Sequence, residues 1–128
     1  MKKYIPFLLT LLLLAGCAAP AAQEGTYRQI TMDEAIIMME EESNYIILDV
    51  RTPEEFSEKH IPGAINIPNE TIGTEEVPEL PDKDQLILIY CRSGNRSKQA
   101  SEKLVRLGYT NIVEFGGIND WPGDTVNG

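Results

Sequence analysis

Short apolar runs alternate along this chain with segments whose apolar residues recur at helical spacing. The strongest runs are residues 45–50, YIILDV, and residues 85–90, QLILIY. Runs this continuous are typical of strands that are buried on both faces, as in a parallel sheet. Weaker runs predict three further strands, at residues 27–31, 65–67 and 111–115.

Helices are predicted in three of the intervals between these strands. Thr31 with Glu34, and Thr52 with Glu55, have the spacing of capping boxes, which mark helix starts. Residues 97–109 form an amphipathic pattern with four apolar residues predicted to face inward: Ala100, Leu104, Val105 and Leu107. Residues 69–84 are acidic and interrupted by Pro and Gly, which predicts a loop. Alternating strands and helices predict an α/β fold with a parallel sheet and right-handed crossovers.

The amino terminus has the pattern of a bacterial secretory signal. Two lysines precede an apolar stretch over residues 5–15, which is too short to span a membrane comfortably. The tetrapeptide that ends at Cys17, LAGC, resembles the lipobox, in which the cysteine is lipidated after cleavage. We therefore predict a cleaved lipoprotein signal peptide (1–16), a lipidated Cys17 with a flexible tether (17–26), and a folded domain (27–128). An ordinary cleaved signal and an uncleaved anchor are the alternatives.

These boundaries predict an extracytoplasmic protein that is lipid-anchored to a bacterial membrane. The chain has 128 residues and a net charge of −9, which suits one domain and disfavours nucleic acid as a partner. One histidine and two distant cysteines exclude a zinc cluster, and no metal or cofactor is expected. With Cys17 lipidated, Cys91 is the sole thiol and cannot form an internal disulfide. The short loops predict a monomer.

Candidate chemistry concentrates in residues 91–97, CRSGNRS, between the most apolar strand and a helix. Unsatisfied N–H groups at a helix start and in the preceding loop can form an anion nest. Gly94 and Asn95 tolerate the left-handed backbone that such a loop needs. These donors, with Arg92 and Arg96, favour the thiolate of Cys91, which is the nucleophilic form. A small buried hydrophobe is the alternative role for a lone cysteine.

Positive charge is also concentrated near this cysteine. Nine Lys or Arg residues follow Cys17, and five of them lie between residues 91 and 106: Arg92, Arg96, Lys98, Lys103 and Arg106. Against an acidic background, this cluster predicts a small anionic substrate.

Three blocks of the sequence resemble the rhodanese superfamily, and specifically its single-domain sulfurtransferases. They are residues 48–68 (LDVRTPEEFSEKHIPGAINIP), 90–97 (YCRSGNRS) and 116–121 (GGINDW). The resemblance implies a three-layer α/β domain in which a parallel sheet of about five strands has helices on both faces. It also implies that Cys91 accepts a sulfane sulfur as a persulfide. The donor would be thiosulfate or a similar anion, and the acceptor cyanide or a thiol.

The resemblance also suggests roles for neighbouring residues. The backbone N–H groups of six residues would hold the persulfide: Arg92, Ser93, Gly94, Asn95, Arg96 and Ser97. Arg92 would steer the donor, whereas Arg96 could face substrate or tie the loop to nearby carboxylates. One of Asp49 and Arg51 is predicted to support the loop, and His60 is predicted to be a hydrogen-bonded structural residue.

Two other functions stay open at this point. A cysteine phosphatase or arsenate reductase also uses a thiolate between a strand and a helix, but with five residues between Cys and Arg. Here four residues separate Cys91 from Arg96, and no acidic residue lies in the loop. A smaller loop fits one sulfur atom better than a phosphate. The second alternative is a non-catalytic binding or sensing module on the same architecture.

Overall fold

A parallel sheet with helices on both faces forms the centre of the molecule. The computed structural model describes residues 26–73 and 75–128. Its strands are β1 (Arg28–Gln29), β2 (Tyr45–Asp49), β3 (Ile65–Asn66), β4 (Leu86–Cys91) and β5 (Ile112–Gly117). Its helices are α1 (Met32–Glu41), α2 (Pro53–Glu58) and α3 (Asn95–Arg106), with 3₁₀ turns at Asn69–Thr71 and Ile118–Asp120.

The five strands lie in the order β1-β5-β4-β2-β3, and every neighbouring pair is parallel. The most apolar run therefore occupies the middle of the sheet, as β4, between β2 and β5. This position explains its composition, because a central strand is covered on both faces. The predicted α/β class with a five-stranded parallel sheet is confirmed.

Side chains of β4 alternate between two hydrophobic clusters. Ile87, Ile89 and Cys91 pack on the face that α3 covers, whereas Leu88 and Tyr90 pack on the face that α1 and α2 cover. Each fully buried aliphatic side chain contributes about 1.5–3 kcal/mol to folding. The two clusters therefore hold the helices on opposite faces and make the three layers that were predicted.

Both predicted capping boxes are present. The hydroxyl of Thr31 accepts from the Glu34 N–H at 3.1 Å, and the Glu34 carboxylate accepts from the Thr31 N–H at 2.8 Å. Thr52 and Glu55 make the same reciprocal pair at the start of α2. These bonds satisfy N–H groups that a helix start otherwise leaves free.

The limits of several elements differ from the prediction. Helix α3 begins at Asn95 and not at Ser97, because Gly94 adopts a left-handed conformation (φ 111°) that turns the chain directly into the helix. Asn95 is accordingly helical and is not needed as a left-handed residue. Cys91 is the last residue of β4, and the edge strands β1 and β3 are two residues each.

No helix within residues 26–73 and 75–128 is long and apolar enough to cross a membrane. The predicted signal peptide (1–16), Cys17 and the tether up to residue 25 lie outside the described residues and stay predictions.

Candidate active site

Cys91 ends the central strand at the carboxyl edge of the sheet, where parallel α/β folds bind ligands. Its side chain is 1% exposed, and its sulfur accepts a hydrogen bond from the Gly94 N–H at 2.9 Å. The Ser97 hydroxyl lies 3.4 Å from the sulfur. In the part of the chain that the structure describes, these are the two hydrogen-bonding neighbours of Sγ. The left-handed backbone of Gly94 therefore sets the start of α3 and also aims an N–H at the sulfur.

The loop after Cys91 rests on the end of β5. A Cβ at Gly117 would lie 2.1 Å from the carbonyl oxygen of Arg92 and 2.6 Å from the Cα of Ser93, so only glycine fits there. Asn119 donates its N–H to the same carbonyl oxygen at 3.2 Å. The pairing of β4 with β5 is irregular between Ile89 and Cys91, where Cys91 meets Gly117. The loop after Cys91 is therefore packed against residues 116–119 (GGIN) and hydrogen-bonded to them.

Arg96 is bound to a carboxylate. Its guanidinium donates to both oxygens of Glu55, at 2.8 and 3.1 Å. This hydrogen bond and the N–H of the Thr52–Glu55 capping box lower the pKa of Glu55 from its usual 4.5 to about 2, against the opposing effect of burial. Of the two roles that the sequence left open, the described contacts show the second: Arg96 ties the first turn of α3 to α2.

Arg92 is the loop arginine that faces solvent. Its side chain is 66% exposed, and its Nη1 lies 3.9 Å from the nearer Glu55 oxygen. At that distance and exposure the contact with Glu55 is weak and screened by water. The guanidinium of Arg92 is therefore available to an anion that approaches the loop. Lys103, another member of the predicted basic cluster, instead donates to the backbone and side-chain oxygens of Asn69.

Asp49 and Arg51 form a buried ion pair of 2.7 Å on the other face of the sheet. Arg51 also donates to the carbonyl of Lys59 at 2.6 Å, and Asp49 accepts from the Tyr90 hydroxyl at 2.6 Å. Burial and this bond raise the pKa of Tyr90 well above its ordinary value. No described hydrogen bond joins Asp49 or Arg51 to residues 92–97. Their link to the loop runs through Tyr90, which precedes Cys91, and their supporting role stays a prediction.

His60 is the hydrogen-bonded structural residue that the sequence predicts. It is 8% exposed, its Nδ1 lies 2.9 Å from the carbonyl oxygen of Phe56, and its ring stacks on the Phe56 ring at 3.7 Å. These contacts lie on the α2 side of the sheet, away from the sulfur.

Sequence reasoning missed Glu114, which lies beside the cysteine loop. It is 2% exposed, and its Oε2 accepts from the Ser97 hydroxyl at 2.5 Å and from the Gly116 N–H at 2.9 Å. Gln29 donates to its other oxygen at 3.4 Å. The available signal was one acidic residue inside the otherwise apolar run NIVEF, because a buried carboxylate without a role is rare.

A strand, a tight cysteine loop and a helix on a five-stranded parallel sheet define the class of protein, and comparison with known sequences identifies the family. The profile of the rhodanese-like domain matches residues 31–124. The chain therefore belongs to the rhodanese-like domain family.

The relatives agree with this assignment. Thiosulfate sulfurtransferase PspE of Escherichia coli (strain K12) is 40% identical over 73 residues, covering 57% of this chain and 70% of that protein. A sulfurtransferase of Allochromatium vinosum is 40% identical over 77 residues, covering 59% and 70%. Among solved structures, a rhodanese with anions from E. coli is 37% identical, with a TM-score of 0.60, and covers 66% of this chain and 99% of its own. This chain is a rhodanese-type sulfurtransferase.

Proposed function

We propose that Cys91 takes a sulfane sulfur from thiosulfate or a similar anionic donor and passes it to cyanide or a thiol. The observation that carries this proposal is the 2.9 Å hydrogen bond from the Gly94 N–H to Sγ, at the start of α3. An N–H aimed at sulfur from a helix start stabilises a negative sulfur more than a neutral one. The relatives named for thiosulfate sulfurtransfer make thiosulfate the natural first donor.

The reaction has two steps, and both conserve atoms and charge. The Cys91 thiolate attacks the outer sulfur of thiosulfate, a new S–S bond forms, and sulfite leaves with the electron pair of the old S–S bond. Cyanide then attacks the terminal sulfur of the persulfide, thiocyanate leaves, and the thiolate returns. Negative charge stays on sulfur throughout, so fixed N–H donors suit every stage.

Arg92 is proposed to bind the donor. It is the loop cation that projects into solvent, whereas Arg96 is held by two bonds to Glu55. The same difference disfavours a phosphatase, whose loop arginine must be free to bind the phosphate oxygens.

Intact mass spectrometry after incubation with thiosulfate tests the proposal. The expected result is a gain of one sulfur atom that cyanide removes and that Cys91→Ala abolishes. No gain at any donor concentration would reject it. Turnover of p-nitrophenyl phosphate without a mass gain would support the phosphatase. Lys59→Gln, at an exposed position just after α2, serves as a control that keeps the cysteine and the loop.

We also propose that the enzyme works outside the cytoplasm as a monomer, anchored by lipid on Cys17. The support is the signal-like segment 1–16 and the LAGC tetrapeptide. Two buried acyl chains would suffice for stable anchoring. Expression of the full chain and of Cys17→Ala, followed by detergent phase partitioning and intact mass, tests this. Wild type should carry lipid and enter the detergent phase, and the variant should not. Equal partitioning of both would contradict the anchor.

A further inference from the structure

Three buried side chains form a line from the sulfur into the protein. Cys91 Sγ lies 3.4 Å from Ser97 Oγ, and Ser97 Oγ lies 2.5 Å from Glu114 Oε2. Their exposed fractions are 1%, 0% and 2%. A carboxylate that is this buried normally has a cation beside it. Within the described residues, no Lys, Arg or His nitrogen lies within 4.0 Å of Glu114.

The oxygen of the Ser97 hydroxyl also lies 2.9 Å from the Gly94 carbonyl oxygen. Between Cys91 and Glu114, this hydroxyl can serve two arrangements of protons without any movement of heavy atoms. In one, the Cys91 thiol donates to Oγ, and the hydroxyl donates to the Glu114 carboxylate. In the other, a protonated Glu114 donates to Oγ, and the hydroxyl donates to a Cys91 thiolate. The Gly94 N–H donates to sulfur in both, and the Gly116 N–H donates to Oε2 in both. A hydroxyl both donates and accepts, which allows the exchange.

We propose that Cys91 and Glu114 share a single proton through Ser97, a proposal that rests on the proposed function. Passing the proton breaks the S–H bond and the Ser97 O–H bond. It forms a new O–H bond on Ser97 and one on Glu114, and the electron pair of the S–H bond stays on sulfur. No charge enters or leaves the buried site. Glu114 thus acts as a positioning residue, because it reaches the reacting sulfur through Ser97.

Electrostatics explains why one proton remains. A thiolate and a carboxylate so near each other repel strongly in a buried site, so losing the second proton is costly. Few other charges face the pair. Arg96 lies near enough to Cys91 for the two to interact. Lys98 and Glu34 line the open cavity beside Glu114, and Tyr27 is close enough for its pKa to be raised, mainly by burial and then by Glu102 and Glu114.

The shared proton has a consequence for sulfur transfer. While sulfur carries the negative charge, as thiolate or as persulfide, Glu114 is a neutral acid. It then orients the Ser97 hydroxyl towards the sulfur, which gains a second donor besides the Gly94 N–H. When the sulfur is protonated between cycles, the charge moves to Glu114.

The pH profile of Cys91 alkylation by iodoacetamide tests the proposal. Two sites that share a proton titrate as a pair, so the wild-type rate should rise in two steps with a plateau between them. Glu114→Gln imitates the neutral acid permanently. The alkylation rate of this variant should rise with pH in one step. At the pH of the wild-type plateau it should exceed the wild-type rate by roughly twofold, because an evenly shared proton leaves half of the wild-type sulfur as thiolate. A single step in wild type, or two steps in the variant, would overturn the proposal.

Two further variants complete the design. Ser97→Ala removes the donor that the thiolate needs, so the step at lower pH should disappear; its persistence would overturn the role of the hydroxyl. Glu34→Gln, in the same cavity but without contact to Ser97, should keep both steps, and their loss would assign the second step to Glu34. If Glu114→Gln does not fold, the pH profiles of wild type and Ser97→Ala still test whether the proton is shared. Alkylation needs no sulfur donor, so this result is independent of whether thiosulfate is the substrate.

Discussion

Two glutamates reach the first turn of α3 from opposite sides, and their surroundings differ in one respect. Glu55 comes from α2 and lies within 4.0 Å of two arginines, Arg92 and Arg96. Glu114 comes from β5 and meets only neutral donors among the described residues, Ser97, Gly116 and Gln29. An arginine stabilises a carboxylate by charge as well as by hydrogen bonds, whereas neutral donors stabilise it by hydrogen bonds alone. Glu55 is thus held by ion pairs, whereas Glu114 is held by hydrogen bonds.

The two sides also differ in how they hold the loop. The α2 side uses a partly exposed ion pair, whose net worth in water is small. The β5 side uses close packing at Gly117 and buried hydrogen bonds, which carry larger penalties when they are broken. The changes below test this difference and are ordered by their expected effect on the free energy of unfolding.

Gly117→Ala should have the largest effect. Its Cβ would enter the space of the Arg92 carbonyl, so the loop must shift away from β5. We expect a loss of about 3 kcal/mol in urea unfolding, the upper part of the range for overpacking. Sulfur transfer should fall at least about tenfold as the loop moves. Gly73→Ala, which meets no atom within 4 Å, is the matched control. Wild-type stability in Gly117→Ala would show that the loop is not held by β5.

Glu114→Ala should have the second-largest effect on the free energy of unfolding. It leaves the Gly116 N–H without its carboxylate acceptor and the Ser97 hydroxyl with the Gly94 carbonyl oxygen as its remaining described acceptor, and it opens a cavity. We expect a loss of about 2 kcal/mol, typical of an unsatisfied buried group. Glu114→Gln should lose less, because its amide oxygen still accepts. Equal losses in the two variants, measured by urea unfolding at neutral pH, would mean that the acceptor contributes little.

Glu55→Gln should cost about 0.5–1 kcal/mol, because glutamine keeps the capping box and removes only the charge. The folded-state pKa of about 2 lies below the usual 4.5, so the folded protein binds this proton more weakly. The stabilisation is therefore complete above about pH 5 and disappears as the pH falls towards 2. Unfolding of wild type and variant across this range should show a difference that shrinks with acid. A constant difference would contradict the ion pair as its source.

Arg92→Ala should have the smallest effect on stability, within about 0.5 kcal/mol, because its side chain is largely exposed. The substitution should instead weaken binding of the sulfur donor, with a rise of about tenfold in the KM for thiosulfate at low salt. That rise should shrink as salt screens the charge. A KM unchanged at low salt would remove Arg92 from donor binding.

Much of the fold could be predicted from local patterns. The buried strands β2 and β4 and both capping boxes follow from residue type and spacing, which act over a few positions. The start of α3 was misplaced because a polar loop and the first turn of a polar helix have similar composition. Gly94 decides where one ends, and its left-handed conformation shows only in the backbone.

The site was predictable where its residues are contiguous. Cys91, Gly94 and Ser97 meet because they flank one strand end and one helix start. Asp49 was expected near the loop because it ends a neighbouring strand. It reaches Tyr90, whose side chain points to the opposite face of β4 from that of Cys91, and its supporting role for the loop stays a prediction. That Asp49 and the cysteine loop share one edge of the sheet was inferred correctly. The face on which a side chain lies depends on the alternation of side chains along its strand.

The sequence by itself determined the α/β elements, the cysteine between strand and helix, and the concentration of positive charge around it. Only the tertiary structure decided which carboxylates meet that loop. Glu55 and Arg96 are 41 residues apart, and Ser97 and Glu114 are 17 apart. Such contacts depend on strand order and on the irregular pairing of β4 with β5, which brings Gly117 opposite Cys91. Local sequence patterns predict the secondary structure of each segment, whereas long-range packing determines whether a glutamate contacts an arginine or a serine.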